Sequence, residues 1–128
     1  MQTAAVIAAV LIGIVTVFQL ALALGLPAGR AAWGGRHQGK LPTRLRLASG
    51  IAGLIVYPVI ILVVLETGEV IDGPAQVPEV DAIGMWVLTA LFTVGALANL
   101  ASQSKIERVW VPVSLTIAVC CAVVATGI

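Results

Sequence analysis

Charge is what this sequence has least of. Lys, Arg, Asp and Glu together make up 10% of its 128 residues, against 60% hydrophobic residues, and the mean hydropathy is +1.11. A small water-soluble domain carries about a quarter charged residues, so that class is excluded. The formal net charge is only +1, which supplies no basic field for nucleic acid, and no nucleic-acid partner is expected. Cysteine is confined to the adjacent pair Cys120 and Cys121 inside an apolar run, where a bridge between neighbours is strained; both are expected to be packing residues. The single histidine, His37, has no cysteine or acid beside it, so no metal is expected. No nucleophile, base and orienting group occur together, and no glycine-rich phosphate loop follows a strand. Neither enzymatic activity nor a cofactor is expected.

What is present is four long apolar runs. A helix needs about 20 mostly apolar residues to cross roughly 30 Å of hydrocarbon. Runs over residues 3–26, 47–65, 82–100 and 109–128 meet that requirement with no charged residue in their interiors. The first has the Ala21/Ala23 pair of a cleavable signal but no preceding Lys or Arg, and is longer than a signal core; it is expected to be retained. The expectation is an all-α fold: one integral-membrane four-helix domain over residues 1–128, built as two antiparallel hairpins.

The placement of the few charges orients it. Arg30, Arg36, Lys40, Arg44 and Arg46 lie between the first two runs, and Lys105 and Arg108 between the last two, which accounts for every Lys and Arg. Glu66, Glu69, Asp72, Glu79 and Asp81 lie between the second and third, leaving Glu107 alone on the basic side. Cytoplasmic loops are enriched in Lys and Arg, so both basic loops are expected inside and both termini outside, in the plasma (bacterial inner) membrane. A search for an internal repeat between the two hairpins yields only the shared basic turn.

Boundary residues refine this reading. Pro78 suits the first turn of the third helix, with Glu79 and Asp81 complementing its dipole. Ser104 and Glu107 match a capping box, so the fourth helix is expected to start before the membrane. Pro42 starts the second helix early, with Arg44 and Arg46 on its first turn. Trp86 and Trp110 fall where indole rings prefer the headgroup level. Pro58, beside Tyr57, predicts a kink near mid-helix, and Pro112 a bend in the fourth helix. Ser49 with Gly53, Ala4 with Ala8, and Gly95 with Asn99 are small-residue pairs that allow close helix approach.

In lipid, polar side chains are the informative ones. Gln19, Tyr57 and Asn99 form the candidate intramembrane site: Gln19 and Asn99 fall at similar depth, where they can bond across helices or jointly meet the first loop, and Tyr57 supplies a hydroxyl at the kink. The first loop offers a second candidate site, Arg30, Trp33, Arg36, His37 and Lys40. There Trp33 is expected at headgroup level and the cations against anionic lipid headgroups, or the loop grips an anion or a partner. The acidic loop fits no recognised calcium spacing.

In size and span count the chain resembles small multidrug transporters and dual-topology fluoride channels. The first type relies on a glutamate within its first helix, where this chain has Gln19; the second needs a weak charge bias, where this chain's is one-sided. Trp33-Gly34-Gly35-Arg36-His37, followed by Leu41-Pro42 and Arg44-Leu45-Arg46, is similar to the first loop of small four-span bacterial membrane proteins, and transfers no functional residue. The expected function is a structural or interaction (accessory) subunit, with a homo-oligomer or a larger membrane protein as partner. The alternative is an oligomeric channel or carrier for a small solute, lined by Gln19, Tyr57 and Asn99, with a membrane-surface sensor working through the basic loop as a third reading.

Overall fold

The computed structural model describes residues 1–72 and 78–127, the side chains of residues 78–80 excepted. Among them there is no strand. The chain forms four helical spans long and apolar enough to cross a membrane: α1 (Gln2–Ala23), α2 (Thr43–Thr67), α3 (Pro78–Leu100, its span Asp81–Leu100) and α4 (Trp110–Thr126), which reaches that length together with the 3-10 turn Glu107–Val109 before it. The expected contact of Glu79 with the α3 dipole lies outside the described side chains.

Helix ends follow from local backbone chemistry. α1 stops at Ala23, short of the end of its apolar run, because Gly25 takes a left-handed conformation (φ 103°). The amides of Gly25 and Leu26 then bond back to the carbonyls of Leu22 and Ala21, which satisfies groups a helix end leaves open. The same pattern closes α2, with Glu69 (φ 60°) in the left-handed position and Val70 N–H reaching the Leu65 carbonyl. Gln2 Nε2 donates to the Glu69 carbonyl at 2.9 Å, tying the start of α1 to the end of α2.

The expected kink at Pro58 takes the form of a π turn. Residues Ala52–Val56 are wound one residue wider than an α-helix, with Tyr57 N–H bonded to the Ala52 carbonyl, and helix resumes through Pro58. A widened turn gives the proline ring room at the carbonyl four residues back. Pro112 differs from expectation for a simpler reason: α4 begins at Trp110, so Pro112 sits in the first turn, where a missing N–H leaves no helical bond unmade.

α1 packs against both α2 and α4, and α3 packs along α4, whereas α2 and α3 barely meet. The bundle is therefore open along one side. Toward the acidic end it is filled by Ala5, Ala8, Ile12, Val64, Met85, Leu88, Ile117, Cys120, Cys121 and Val124. Both cysteines are free and buried, as packing residues should be. Small residues set the closest approaches: a methyl group at Gly53 would lie 2.7 Å from Leu20 Cδ2, and one at Gly68 only 2.4 Å from Ala5 Cβ. Gly95, by contrast, has open space before it, so Gly95 with Asn99 is not a packing pair. Outward faces carry Val10, Val17, Leu54, Leu91, Val94 and Val119, and Trp86 at 49% exposure.

These contacts predict opposite outcomes for two Gly→Ala changes. Gly68→Ala should cost about 1–3 kcal/mol of stability by overpacking against Ala5, whereas Gly84→Ala, with nothing within 4 Å of the added methyl, should stabilise α3 by up to about 1 kcal/mol through helix propensity. Unfolding midpoints of the two variants in lipid nanodiscs check this ordering.

Candidate functional site: a cavity beneath the first loop

The first loop, residues 24–42, is folded rather than extended. A bond from Gly29 N–H to the Gly39 carbonyl (2.8 Å) closes its neck, and two 3-10 turns, Gly29–Ala31 and Trp33–Gly35, lie between. Trp33, Gly34 and Gly35 are left-handed in succession (φ 52°, 85° and 71°), a run that the two glycines make affordable. This turns the Gly34 amide toward the connection between α3 and α4, where it donates to Glu107 Oε2 at 2.9 Å across 73 residues of chain. Ser102 Oγ donates to the Gly34 carbonyl at 3.3 Å, and Gly35 lies so close to Ser102 and Ser104 that no side chain fits.

Two indoles fasten the loop to the helices. Trp110 Nε1 donates to the Ala31 carbonyl and Trp33 Nε1 to Ser49 Oγ, both at 2.9 Å. Phe18 packs on Trp110 with ring centroids 4.9 Å apart, and Leu22, Ala32 and Leu41 form a small apolar core under the loop. Arg46 Nε donates to the Ala23 carbonyl at 3.2 Å.

Between this cap and the packed half of the bundle lies a cavity of about 500 Å³. The side chains of Gln19 from α1, Tyr57 from α2, Asn99 from α3 and Ser114 from α4 reach its wall. Every aromatic residue of the chain except Trp86 lines it as well: Phe18, Trp33, Tyr57, Phe92 and Trp110. The π turn contributes Ala52 and Val56, and Gly95 leaves room on α3. Glu107 lines it at the loop end and, at 3% exposure, is nearly enclosed.

The polar wall is not used up by packing. Elsewhere in the helix interiors Thr16, Thr89, Thr93 and Thr116 bond the carbonyl one turn back, and Ser49 accepts from Trp33. Among the described residues, Gln19, Tyr57, Asn99 and Ser114 make no side-chain hydrogen bond, and Gln19 Oε1 is buried without a partner. All four face one cavity. The expected bond between Gln19 and Asn99 is not formed: the two amides stand on different walls of the same space.

The loop candidates divide. Trp33, Arg36 and His37 line a groove of about 600 Å³ on the far side of the loop, with Arg44 and Gln103. Arg30 and Arg36 line a second of about 430 Å³, with Lys105. No acid lines either groove. Lys40 belongs to neither; its side chain lies with Arg46 beside Gly25. Trp33 is not simply laid on a surface, since its N–H is committed to α2.

Two expectations from sequence are overturned here. Ser104 and Glu107 do not form a capping box: no side chain caps the turn at Glu107, Ser104 N–H bonds Ser102 Oγ, and the Glu107 carboxylate serves the first loop instead. A carboxylate facing a left-handed glycine amide finds a better-aimed donor than the amide three residues before it. Trp110 is not an outward anchor, because its ring is drawn inward by Phe18 and the Ala31 carbonyl. Sequence reasoning missed Glu107, Ser114, Phe18 and Phe92 as cavity residues. For Glu107 a signal existed: it is the one acid on an otherwise basic side. Compared with protein-family models, with curated proteins and with solved structures, the chain matches none.

The loop's docking has a direct test. Gly35→Ala adds a methyl 2.4 Å from Ser104 Cβ at a residue with φ +71°, so it should lift the loop and open the cavity's end. The expected readout is faster proteolysis between residues 30 and 40, with Gly39→Ala, which is open at its Cβ, as the comparison that shares only the backbone strain.

Proposed function

We propose that this chain is a multi-pass protein of the plasma (bacterial inner) membrane, both termini outside, that binds a small amphipathic solute in the cavity, as a carrier or channel subunit does. The observation that supports it most is the convergence of Gln19, Tyr57, Asn99 and Ser114, unpaired, on one space. Leaving a polar group in a low-dielectric interior without a partner is unfavourable, as Gln19 Oε1 is left here, and three further polar side chains with free hydrogen-bonding capacity face the same space. A wall of aromatic and aliphatic side chains carrying a few convergent polar groups is the usual form of a small-molecule pocket, and about 300–1,000 Å³ is its usual size. An amide offers a donor and an acceptor whichever way it is turned, and the two hydroxyls do the same, so the wall can meet either polarity of hydrogen bond.

The one-sided distribution of Lys and Arg supports the orientation. In it the folded loop faces the cytoplasm, the gap between α2 and α3 opens sideways to lipid, and the packed half of the bundle faces outward. A solute reaches the cavity laterally, from the leaflet. A second copy against α2 and α3 completes the enclosure, in keeping with a homo-oligomer.

An interaction subunit is the second reading, and the same gap favours it: a helix of a larger membrane protein seated between α2 and α3 covers the cavity and supplies partners for its amides. In either case the grooves around Arg30, Arg36, His37 and Lys105 lie at the level of the anionic headgroups, each cation contributing about 1 kcal/mol there.

Binding of a neutral amphipathic probe separates these readings. Triphenylphosphine oxide, whose phosphoryl oxygen is a strong acceptor, should alter the fluorescence of Trp33 and Trp110 in protein-loaded nanodiscs but not when Trp33 and Trp110 are replaced by Phe. Gln19→Leu and Asn99→Leu should each weaken it about 5- to 30-fold, the loss of one buried hydrogen bond. Absence of any saturable binding discards the solute reading in favour of the interaction subunit. For orientation, a membrane-impermeant amine reagent applied to intact cells should leave Lys40 and Lys105 unlabelled, and labelling of either reverses the topology.

A further inference from the structure

Among the described residues, Glu107 is the one carboxylate on the cavity wall, and no Lys, Arg or His shares that wall with it. It is almost fully enclosed, its one hydrogen bond comes from the Gly34 amide, and among the described residues no cation pairs with it. The cations of the basic end are engaged or turned elsewhere. Arg108 donates to the Ser102 carbonyl and Arg46 to the Ala23 carbonyl, Arg30, Arg36 and Lys105 line one groove and Arg44 the other, and Lys40 lies beside Gly25. Glu107 is the single acid among the cations of the basic side, and among the described residues it is paired with none of them. An enclosed carboxylate normally has a counter-charge, and this one lacks it within the chain.

Aromatic side chains share the cavity wall with that carboxylate. Trp33 adjoins Gly34, whose amide holds Glu107, and Trp110 follows Glu107 by one turn of chain. Phe18, Tyr57 and Phe92 complete the wall. Aromatic faces carry negative charge density and attract cations, the more so when water is excluded. An acid set among aromatic rings, with no cation of its own, is a recognition chemistry for positive charge on an apolar body.

Resting on the solute-binding reading above, we propose that the cavity's ligand is a monovalent lipophilic organic cation, a quaternary or protonated amine or its phosphonium equivalent. Its charge is balanced by Glu107 and the surrounding rings, and its apolar part fills the space between α2 and α3. Where the cation bears an N–H, Gln19 Oε1 and the Tyr57 and Ser114 hydroxyls are the acceptors that receive it. A neutral occupant leaves the acid uncompensated, and an anionic one is repelled by it.

The test compares tetraphenylphosphonium with triphenylphosphine oxide, similar in body and different in charge, by tryptophan fluorescence and calorimetry in neutral-lipid nanodiscs, with empty nanodiscs as baseline. Wild-type protein should prefer the phosphonium by about tenfold or more. Glu107→Gln retains an oxygen to accept from Gly34 but not the charge, so the preference for the phosphonium over the oxide, taken as a ratio within the variant, should disappear. Equal affinity of wild type for both molecules, or a preference that survives in Glu107→Gln, overturns the cation assignment and leaves the cavity reading standing. A ratio lost only together with the hydrogen-exchange protection of the Gly34 amide assigns the effect to the docking of the loop and also overturns it. If wild type binds neither molecule, the cavity reading fails together with the inference.

Discussion

Of the hydrogen bonds that join the first loop to the connection between α3 and α4 and the start of α4, one is made to a carboxylate: Gly34 N–H to Glu107, at 2.9 Å and across 73 residues. It is possible only because Trp33, Gly34 and Gly35 are left-handed in sequence, which turns an amide out of the loop and brings its backbone flat against Ser102 and Ser104. With that bond in place the indoles of Trp33 and Trp110 reach Ser49 and the Ala31 carbonyl, and a loop of glycines and cations becomes a lid. A backbone donor held by a carboxylate is among the stronger neutral-to-charged hydrogen bonds, and here little water competes for it.

The lid divides the bundle into unlike halves. Toward the acidic end, alanines, cysteines and aliphatic side chains close the space between helices, and Gly68 lets α2 come down onto Ala5. Toward the basic end α1 and α2 stay close at Leu20 and Gly53, and the aromatic side chains and unpaired amides are gathered around the cavity. The π turn contributes to this difference: it accommodates Pro58 and brings Ala52, Val56 and Tyr57 to the cavity wall while the turn keeps its packing against α1. Packing is thus concentrated where the chain is chemically bland, and its few polar groups are left at a hollow.

Much of this was legible beforehand. Four helices follow from hydrophobic length alone, because no other element satisfies twenty apolar residues' backbone groups within one segment. Gln19, Tyr57 and Asn99 stand out since polar side chains are rare in such runs, and the structure gathers all three at one cavity. The ends of α1 and α2 were read too long or too short because they are set by left-handed residues, Gly25 and Glu69, not by hydropathy. The Ser104 and Glu107 spacing satisfied a local rule, but a local rule does not see a donor 73 residues away. Trp110 was misread for the same reason, since an indole at a helix start is drawn outward or inward according to partners from another part of the chain. Ser114 and Phe92 carried no signal, being ordinary residues whose importance comes from the wall they share.

Everything at the basic end, lid and cavity alike, depends on the Gly34 amide being held by a buried acid. Amide hydrogen exchange at Gly34, followed by NMR with ¹⁵N-glycine label in lipid nanodiscs, tests this directly. The amide should be strongly protected in the native protein and lose that protection in Glu107→Ala, while the Gly39 amide, to which no such bond is attached, stays unchanged. Exchange of Gly34 at the rate of an unstructured loop in the native protein would contradict the account.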